Sequence, residues 1–422
     1  MRPDSSNSST INHLWLPFTQ MASFNARERT FVSARGTQLC DARGRTLFDA
    51  ISSVWVTIHG HSHPAIVEAI VRQAATLDHA TALGASNPVA EELATRLAER
   101  SGLDYVFFSS DGASAIEAAL KMALAYWDRA GQPQRTRFAH LASSYHGDTA
   151  AAMSLSDIPV FKQNFGAICF ETIETTSLEG VLARSDIAAI VVEPIVQAAA
   201  GMRIVPHAWY EPLRSASQRT LAQGPLLVVD EIATGFGRTG TMFACERLGL
   251  APDLLCLGKG ITGGALALSA TLATRAIYDA FLGDARDSRQ FFHGHSYAAN
   301  PIACAAALAS LELFDSEKTL AHVALLEGAL ERALAPLRDH PFVHEIRRAG
   351  LMCGIELRPP SGAALGPRFA GDIASALYGL GQFTRAIGDT IQLVPPLSSA
   401  VDELEAFVSA LAHALDSART VA

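Results

Sequence analysis

A carboxylate and an amine stand at the ends of two apolar segments in the middle of this sequence of 422 residues. Asp230 follows the run 226–229, and Lys259 follows the run 254–257 and one glycine. Two strand ends in one sheet can face a common crevice. A desolvated lysine there has a lowered pKa and condenses with a carbonyl. Pyridoxal phosphate chemistry needs such a lysine and a carboxylate that keeps the pyridine nitrogen protonated. The alternative is a solvated surface lysine, the usual state of this residue type.

A turn between a predicted strand and a predicted helix could hold an anion. Residues 105–108 form an apolar strand by pattern, and residues 114–127 carry apolar side chains at helical spacing. Ser110-Asp111-Gly112-Ala113-Ser114 joins them. Free backbone N–H groups at a helix start can bind a phosphate. A simple cap by Ser or Asp explains the same residues, and the two interpretations are compatible.

Two further polar segments are open to more than one interpretation. Tyr145-His146-Gly147-Asp148 could place an aromatic ring on a planar cofactor, or it could be a turn. Residues 235–240 match the dinucleotide pattern Gly-x-Gly-x-x-Gly, but no first strand–helix–strand unit accompanies them. A glycine-rich active-site loop that carries the charge of Arg238 is favoured over a dinucleotide site.

Alternating histidines raise the question of a metal site. His59, His61 and His63 would share one strand face, as would His293 and His295. No acid or cysteine is spaced to complete either set. We therefore expect structural roles for these imidazoles and no metal.

The chemistry-bearing residues require a scaffold of strands separated by helices. Apolar runs at 105–108, 187–195, 226–229, 254–257 and 268–273 alternate with helical patterns, which predicts a mostly parallel sheet covered on both faces. Asp111, Glu193, Asp230 and Lys259 follow the carboxyl ends of these strands, where open α/β sheets bind ligands. From about residue 306 the pattern changes, which predicts a second, α+β domain with a final helix from Asp402.

Composition excludes several classes of protein. Apolar residues make up 49% of the chain and charged residues 18%, which is typical of a globular protein and not of a disordered one. The net charge of −9 disfavours nucleic acid or an anionic membrane as partner. We find no secretory signal and no membrane-spanning run. The six cysteines form no Cys-x-x-Cys pair, so we expect reduced thiols in the cytoplasm.

Longer segments resemble the class III family of fold-type I aminotransferases, which depend on pyridoxal phosphate. The resemblance runs from Leu16-Pro17-Phe18-Thr19-Gln20-Met21 to Pro395-Pro396, and residues 228–240 with Leu257-Gly258-Lys259 are highly specific for it. It implies an α/β fold with a large domain, whose mostly parallel sheet is covered by helices, and a smaller α+β domain. The expected limits are 1–64 for an N-terminal part of the small domain, 65–305 for the large cofactor-binding domain and 306–422 for the C-terminal small domain.

The resemblance also implies roles for particular residues. The expected catalytic residues are Lys259, as covalent anchor and proton carrier, Asp230, on the pyridine nitrogen, and Tyr145, on the ring face. Gly112, Ala113 and His146 would complete the cofactor site, and Ser296 would reach the phosphate bound by the partner subunit of a homodimer. The expected substrate-binding residues are Phe18, Trp55, Asp148, Arg238, Gly294, Arg385 and Gln392, with Arg385 as the anchor for a keto acid's carboxylate.

Within this family, several segments resemble the enzymes of biotin biosynthesis that convert 8-amino-7-oxononanoate to 7,8-diaminononanoate. They include residues 52–55, 145–149 and 193–197. S-adenosylmethionine is the default donor of that branch. However, Val54 stands where many of its members have Trp, Phe18 and Gln392 stand where they have Tyr, and other segments resemble a branch that uses lysine. The alternatives are therefore a lysine-dependent enzyme of the same acceptor, a general ω-amino acid or polyamine transaminase, a cofactor-binding sensor without turnover, and a dinucleotide dehydrogenase.

Overall fold

A seven-stranded sheet forms the centre of the computed structural model, which describes residues 13–23, 29–216, 224–359 and 368–419. Its strand order is β4-β12-β11-β10-β7-β5-β6. The strands of the described chain are β1 (Phe31–Arg35), β2 (Gln38–Asp41), β3 (Thr46–Asp49), β4 (Tyr105–Ser109), β5 (Arg137–Leu141), β6 (Ile173–Thr175), β7 (Ile187–Val192), β8 (Val196–Gln197), β9 (Arg203–Ile204), β10 (Leu226–Asp230), β11 (Leu254–Leu257), β12 (Ser269–Ala273), β13 (Val343–Ala349), β14 (Met352–Leu357), β15 (Gln382–Phe383), β16 (Ala386–Ile387) and β17 (Thr390–Leu393).

The large sheet is parallel except at β12, so the predicted mostly parallel sheet is confirmed. β12 runs antiparallel to both β11 and β4. Every residue of β7, β10, β11 and β12 is buried, because helices cover both faces of such a sheet. The chain can reverse direction between β11 and β12 without a helical crossover because Gly263 and Gly264, in the connection, adopt positive φ values of 67° and 91°.

Helices surround this sheet and extend into the second part of the molecule. Gly112–Arg129 covers one face and buries Ala115, Ile116, Ala119 and Trp127. The α-helices of the described chain are Pro64–Thr76, Pro88–Ser101, Gly112–Arg129, Ala150–Ser154, Pro159–Lys162, Leu178–Leu182, Glu211–Ala216, Ala244–Leu248, Arg275–Asp279, Pro301–Ser316, Thr319–Leu334, Phe369–Gly379 and Val401–Arg419. In the described segments, no helix is both long and apolar enough to cross a membrane.

Two smaller sheets lie beside the large one. β13, β14, β17 and β16 form an antiparallel sheet, and β15 joins the sheet of β1, β2 and β3 by pairing in parallel with β3. Residues near both ends of the chain thus share a sheet, which supports an N-terminal contribution to the small domain. The expected limit at 305 and 306 falls inside the helix Pro301–Ser316, whose Ala305, Ala306 and Ala309 pack with Ile66 of the large part. The domain limits stay a prediction.

Candidate active site

A cavity of about 440 Å³ opens at the carboxyl ends of β4, β7, β10 and β11. The four polar residues predicted at these strand ends, Asp111, Glu193, Asp230 and Lys259, all line it. The parallel strands leave their carboxyl ends on one edge of the sheet, and β4 reaches the same edge because β12 turns back between β11 and β4. The predicted meeting of these side chains is therefore confirmed. The other lining residues are Trp55, Gly112, Ala113, Tyr145, His146, Gly147, Asp148, Thr149, Val196, Ala198, Ala199, Ile232, Ala233 and Thr234.

Asp230 and His146 form a buried pair in the cavity wall. Asp230 Oδ2 lies 2.7 Å from His146 Nδ1, and Asp230 Oδ1 accepts the backbone N–H of Ile232 at 3.0 Å. Burial alone lowers the pKa of His146, but the hydrogen bond and the charge of Asp230 outweigh it and raise the pKa. His146 Nε2 is buried and lacks a partner among the described residues. The imidazole thus orients one carboxylate oxygen of Asp230.

Lys259 is a buried amine and not a solvated surface lysine. Burial lowers its pKa, although Asp230 and Glu193 act in the opposite direction. Its backbone adopts a φ of 42° directly after Gly258, at the end of β11. Its Nζ lies 5.1 Å from the centre of the Trp55 ring. An amine held in this way is suited to covalent and proton-transfer chemistry.

Glu193 is an acidic residue to which the sequence analysis gave a place but no role. It is 5% exposed, and its Oε2 accepts the backbone N–H of Tyr145 at 3.1 Å. Burial raises its pKa to about 8, while the charges of His146 and Lys259 act to lower it. Besides the carboxylate of Asp230, the site therefore contains a carboxyl group whose raised pKa favours its protonated form. The sequence signal that could have indicated a role for Glu193 was its position directly after an apolar strand.

The start of the helix Gly112–Arg129 faces the cavity. Asp111 caps it: one carboxylate oxygen accepts the backbone N–H of Ser114 at 3.0 Å, and the other accepts the Ser114 hydroxyl at 2.9 Å. The backbone N–H groups of Gly112 and Ala113 have no acceptor in the part of the chain that the structure describes. Gly147 packs so closely that a Cβ atom there would lie 2.5 Å from that of Ala113. The cap and the anion site predicted here can thus coexist.

Tyr145 and Asp148 form a linked pair on another wall. The Tyr145 hydroxyl donates to Asp148 Oδ2 at 2.8 Å. Burial, followed by this bond, raises the pKa of Tyr145. Phe161 packs edge-on against Tyr145 and against Phe18, with ring centres 5.7 and 5.3 Å apart. Phe18 itself is 61% exposed and does not line the cavity.

Trp55 reaches the cavity from a left-handed turn. Ser52, Ser53, Val54 and Trp55 have φ values of 50°, 48°, 69° and 70°. Non-glycine residues pay roughly 1–2 kcal/mol each for this conformation, so the surroundings must hold it. Ser52 Oγ donates to the carbonyl of Val394 at 2.7 Å, and Ser53 Oγ donates to Asp49 Oδ2 at 2.8 Å.

Gln392 is buried against Trp55, whereas Arg385 is exposed and does not line the cavity. Gln392 is 3% exposed, and its Oε1 accepts the indole N–H of Trp55 at 2.9 Å. Its backbone N–H and its Nε2 donate to the carbonyl of Arg385 at 3.1 and 3.4 Å. The Arg385 guanidinium has no hydrogen-bonding or ionic partner among the described side chains. Burial and the charge of Arg29 lower its pKa, so a carboxylate would be a favourable partner.

Arg238 does not line the cavity, unlike the expectation for a residue that shapes the substrate pocket. It is 1% exposed, and its guanidinium donates to the carbonyls of Pro395 at 2.6 Å and Thr57 at 2.8 Å. Burial lowers its pKa to about 9. The glycine-rich segment forms turns and does not begin a helix as a dinucleotide fingerprint does. Arg238 therefore joins distant backbone segments behind the Trp55 turn.

Gly294 and Ser296 are exposed and lie outside this chain's cavity. The neighbouring histidines attach their segment to the anion-site helix: His295 Nε2 lies 3.2 Å from Ser110 Oγ, and the Lys121 amine lies 3.2 Å from His293 Nδ1. An exposed Ser296 is free to act on another subunit, but its role there stays a prediction.

The other histidine group has structural partners. His61 Nε2 lies 2.8 Å from Asp49 Oδ2, and His63 Nε2 lies 3.1 Å from Glu317 Oε1. Burial lowers the pKa of His59 to about 4. Within residues 13–23, 29–216, 224–359 and 368–419, no three His, Cys, Asp or Glu side chains are grouped to bind a metal ion.

The cavity fits pyridoxal phosphate by the chemistry of its donors. A buried carboxylate can pair with a protonated pyridine nitrogen, a buried amine can bind an aldehyde, and two free N–H groups at a helix start can bind a phosphate. Together, the mostly parallel sheet and this edge define a fold-type I pyridoxal phosphate enzyme. A sequence model of the family "Aminotransferase class-III" matches residues 22–415, and the chain belongs to that family.

Individual relatives and solved structures agree with this assignment. An "Adenosylmethionine-8-amino-7-oxononanoate aminotransferase" of Synechococcus elongatus is 42% identical over 427 residues, which cover 96% of this chain and 98% of that protein. The crystal structure of the enzyme of that name from Methanocaldococcus jannaschii is 34% identical and has a TM-score of 0.90, over 96% of this chain and 97% of the other. An amine transaminase from an uncultivated Pseudomonas species, solved in its PLP-bound form, is 32% identical with a TM-score of 0.86, over 96% and 99%.

Proposed function

We propose that this aminotransferase uses pyridoxal phosphate to transfer an amino group from S-adenosylmethionine to 8-amino-7-oxononanoate, giving 7,8-diaminononanoate in biotin biosynthesis. The name of the similar proteins supports the substrates. The observation that carries the chemistry is the juxtaposition of Asp230, His146 and Lys259 at one sheet edge. Lysine as donor, and a general ω-amino acid or polyamine transaminase, are the alternatives that the first experiment separates.

The cofactor supplies, when bound, an aldehyde that exchanges for an amine and a ring that accepts electrons from the substrate carbon. Asp230 would hold the proton on its pyridine nitrogen, and His146 would keep the carboxylate oriented toward it. The N–H groups of Gly112 and Ala113 would bind the phosphate, assisted by the positive end of their helix. Tyr145 would lie against the ring.

Lys259 would both anchor the cofactor and carry the proton of each half-reaction. Burial lowers its pKa, which favours the neutral amine that a general base requires. The proton it removes from the substrate carbon would be returned one position further along the conjugated system. Glu193, which retains a proton to about pH 8, would limit the negative charge around this amine.

The substrate groups would be recognised on the opposite side of the cavity. Arg385 would bind the carboxylate of the acceptor in a charge-assisted contact. Asp148, already fixed by the Tyr145 hydroxyl at 2.8 Å, would meet an amino group. Trp55 would form the wall against the aliphatic chain, and Phe18 would approach from the exposed rim.

The proposed functional unit is a homodimer. Ser296 and Gly294 would extend from one subunit to the phosphate and substrate of the other, which agrees with their exposure and their distance from this chain's own cavity. All six cysteines are free thiols. That fits a reducing compartment, and we place the enzyme in the cytoplasm. Light scattering of the holoenzyme tests the dimer directly, since a monomeric active enzyme would exclude the shared site.

Half-reaction spectroscopy tests the donor and the acceptor separately. The enzyme loaded with pyridoxal phosphate is mixed with S-adenosylmethionine alone, and separately with L-lysine alone. We expect S-adenosylmethionine, and not lysine, to convert the cofactor to its amine form, followed by formation of 7,8-diaminononanoate on addition of 8-amino-7-oxononanoate. Conversion by lysine alone would replace the donor. Conversion by neither, with activity toward ω-amino acids, would overturn the proposed function.

A further inference from the structure

We propose that Gln392 is a positioning residue: its side-chain amide fixes the indole of Trp55 over Lys259 and does not contact substrate. The inference rests on the proposed function for the location of the reacting groups. It revises the expectation that Gln392 binds substrate directly. In this role, a hydrogen bond that does not involve the substrate sets the shape of the pocket for both the donor and the acceptor.

The side-chain amide of Gln392 is buried and already hydrogen-bonded at both its oxygen and its nitrogen. Its Oε1 accepts from Trp55 Nε1 at 2.9 Å, and its Nε2 donates to the carbonyl of Arg385 at 3.4 Å. The residue is 3% exposed and lies on β17, all four residues of which are buried. It does not line the cavity, whereas Trp55 does. The amide therefore meets the indole at its N–H edge, outside the cavity lining.

Trp55 needs a second attachment because its backbone is strained. Trp55 is the last of four successive non-glycine residues with positive φ, a backbone conformation that such residues disfavour. Ser52 and Ser53 hold the turn through hydroxyl groups that donate to Val394 and Asp49 and not to Trp55. The ring is fixed at its polar edge by the bond from Nε1 to Gln392. That bond joins residues 337 positions apart in the sequence.

The location of the ring explains why this bond matters for both substrates. The Trp55 ring centre lies 5.1 Å from Lys259 Nζ, the amine that would carry the proton of each half-reaction. A ring that rotates away changes the space beside the reacting carbon for the donor and for the acceptor alike. Loss of Arg385 would instead affect only a substrate that places its carboxylate there. The two residues thus predict different kinetic patterns.

A double-mutant cycle between Trp55→Phe and Gln392→Leu tests the proposal in the holoenzyme. Leucine retains most of the volume of glutamine and removes the acceptor, and phenylalanine retains an aromatic ring and removes the donor. We expect Gln392→Leu to raise the apparent dissociation constants of both half-reactions about five- to tenfold, the effect of one buried hydrogen bond, with the first-order rate constants changed less. In the double variant the further loss should be less than about twofold, because the bond is already absent.

Gln382→Leu is the matched control. Gln382 is a half-buried glutamine of β15, and it makes no hydrogen bond with Trp55 among the described residues. We expect wild-type dissociation constants in this variant. Multiplicative effects of the two substitutions of the cycle would overturn the proposal, as would a loss in Gln392→Leu confined to the acceptor half-reaction.

A substrate-independent measurement separates failure of this inference from failure of the proposed function. The chain contains four tryptophans, and the 5-fluorotryptophan signal of Trp55 can be assigned by its absence in Trp55→Phe. We expect this ¹⁹F resonance to shift or broaden in Gln392→Leu and to stay in place in Gln382→Leu. An unchanged resonance in Gln392→Leu would overturn the inference even if the substrates are confirmed. A shifted resonance in an enzyme inactive with 8-amino-7-oxononanoate would instead count against the substrates alone.

Discussion

The two sides of the cavity are built in different ways. On the cofactor side, Glu193, Asp230 and Lys259 lie at the carboxyl ends of buried strands that are neighbours in the sheet, Gly112 begins a helix, and His146 lies in the loop after β5. The proposed substrate side comprises Trp55 and Asp148, which line the cavity, together with Gln392 behind Trp55 and the exposed Arg385, and these residues come from a left-handed turn, a loop and the region of a small antiparallel sheet. The edge of the large sheet thus supports the proposed cofactor chemistry, while separate segments of the chain form the proposed substrate pocket.

The difference teaches which side tolerates change. The cofactor side consists of buried titratable groups whose pKa values depend on one another, so a substitution leaves another charge without its partner. The substrate side depends on individual contacts, such as the bond from Trp55 to Gln392. Three of the residues at which this sequence departs from the resemblance, Val54, Phe18 and Gln392, lie on or near this side. Changes of specificity are therefore expected there.

The largest effect is expected on the cofactor side, from Lys259→Ala. Turnover should fall by at least about 10³-fold, because the covalent anchor and the proton carrier are lost together. Steady-state kinetics measure this, and circular dichroism with light scattering verifies that the fold and assembly are retained. Lys318→Gln, which removes an exposed lysine far from the cavity lining, is the control. Wild-type turnover of Lys259→Ala would refute its place in the mechanism.

Arg238→Met tests whether Arg238, which joins distant backbone segments behind the Trp55 turn, acts through stability. The substitution removes the donors to Thr57 and Pro395 and leaves two buried carbonyls unsatisfied. We expect the free energy of unfolding to fall by about 2–4 kcal/mol in denaturant titrations. Arg238→Lys, which can reach one carbonyl, should lose less. A variant with wild-type stability and a large increase in KM would return Arg238 to the substrate pocket.

The cofactor side could be predicted from local sequence to a large extent. Asp230 and Lys259 each end a run of apolar residues, and parallel strands bring such ends together. Glu193 carried the same signal, but its raised pKa depends on burial and on neighbouring charges that the sequence alone does not display. The family resemblance supplied roles that spacing could not, such as that of His146.

The substrate side could not be derived from local sequence. No propensity predicts four successive non-glycine residues with positive φ at 52–55, because tertiary hydrogen bonds hold them. Arg238 was misplaced for a similar reason. Gly350 packs on it so closely that a Cβ atom there would lie 2.3 Å from the Arg238 carbonyl oxygen. That contact spans more than a hundred residues of the chain and is absent from the glycine pattern around Arg238.

Arg385→Ala sharpens the comparison within the substrate side. The apparent dissociation constant of the acceptor should rise by roughly 10- to 150-fold, which corresponds to about 1.5–3 kcal/mol for one charge-assisted contact to a carboxylate. The donor half-reaction should change much less. Single-turnover absorbance measurements of the two half-reactions give both constants, with the exposed Arg358→Ala as control. Equal losses in both half-reactions would contradict the anchor role.

The smallest expected effect is on the pH dependence of stability, and it involves a buried histidine of β5 beneath the cofactor side of the cavity. His140, on β5, is 2% exposed, and its ring nitrogens lie 2.9 Å from Ser144 Oγ and 3.0 Å from Thr172 Oγ1. Burial, followed by the charge of His146, lowers its pKa from 6.5 to about 4. The unfolded chain therefore takes up this proton first. The contribution of His140 to stability is complete above pH 6.5 and is lost as the pH falls toward 4.

His140→Gln removes this titration, so its stability relative to wild type should improve on acidification. Between pH 7.5 and 5.5, about one pH unit below the unfolded pKa, the difference should change by about 1.4 kcal/mol in favour of the variant. Urea titrations at both pH values measure it. His413→Gln, at an exposed position of the helix Val401–Arg419, should show no such change. An equal pH dependence of stability in both variants would mean that the acid sensitivity of the fold does not arise from His140. The contrast between the two sides of the cavity would then not extend to stability.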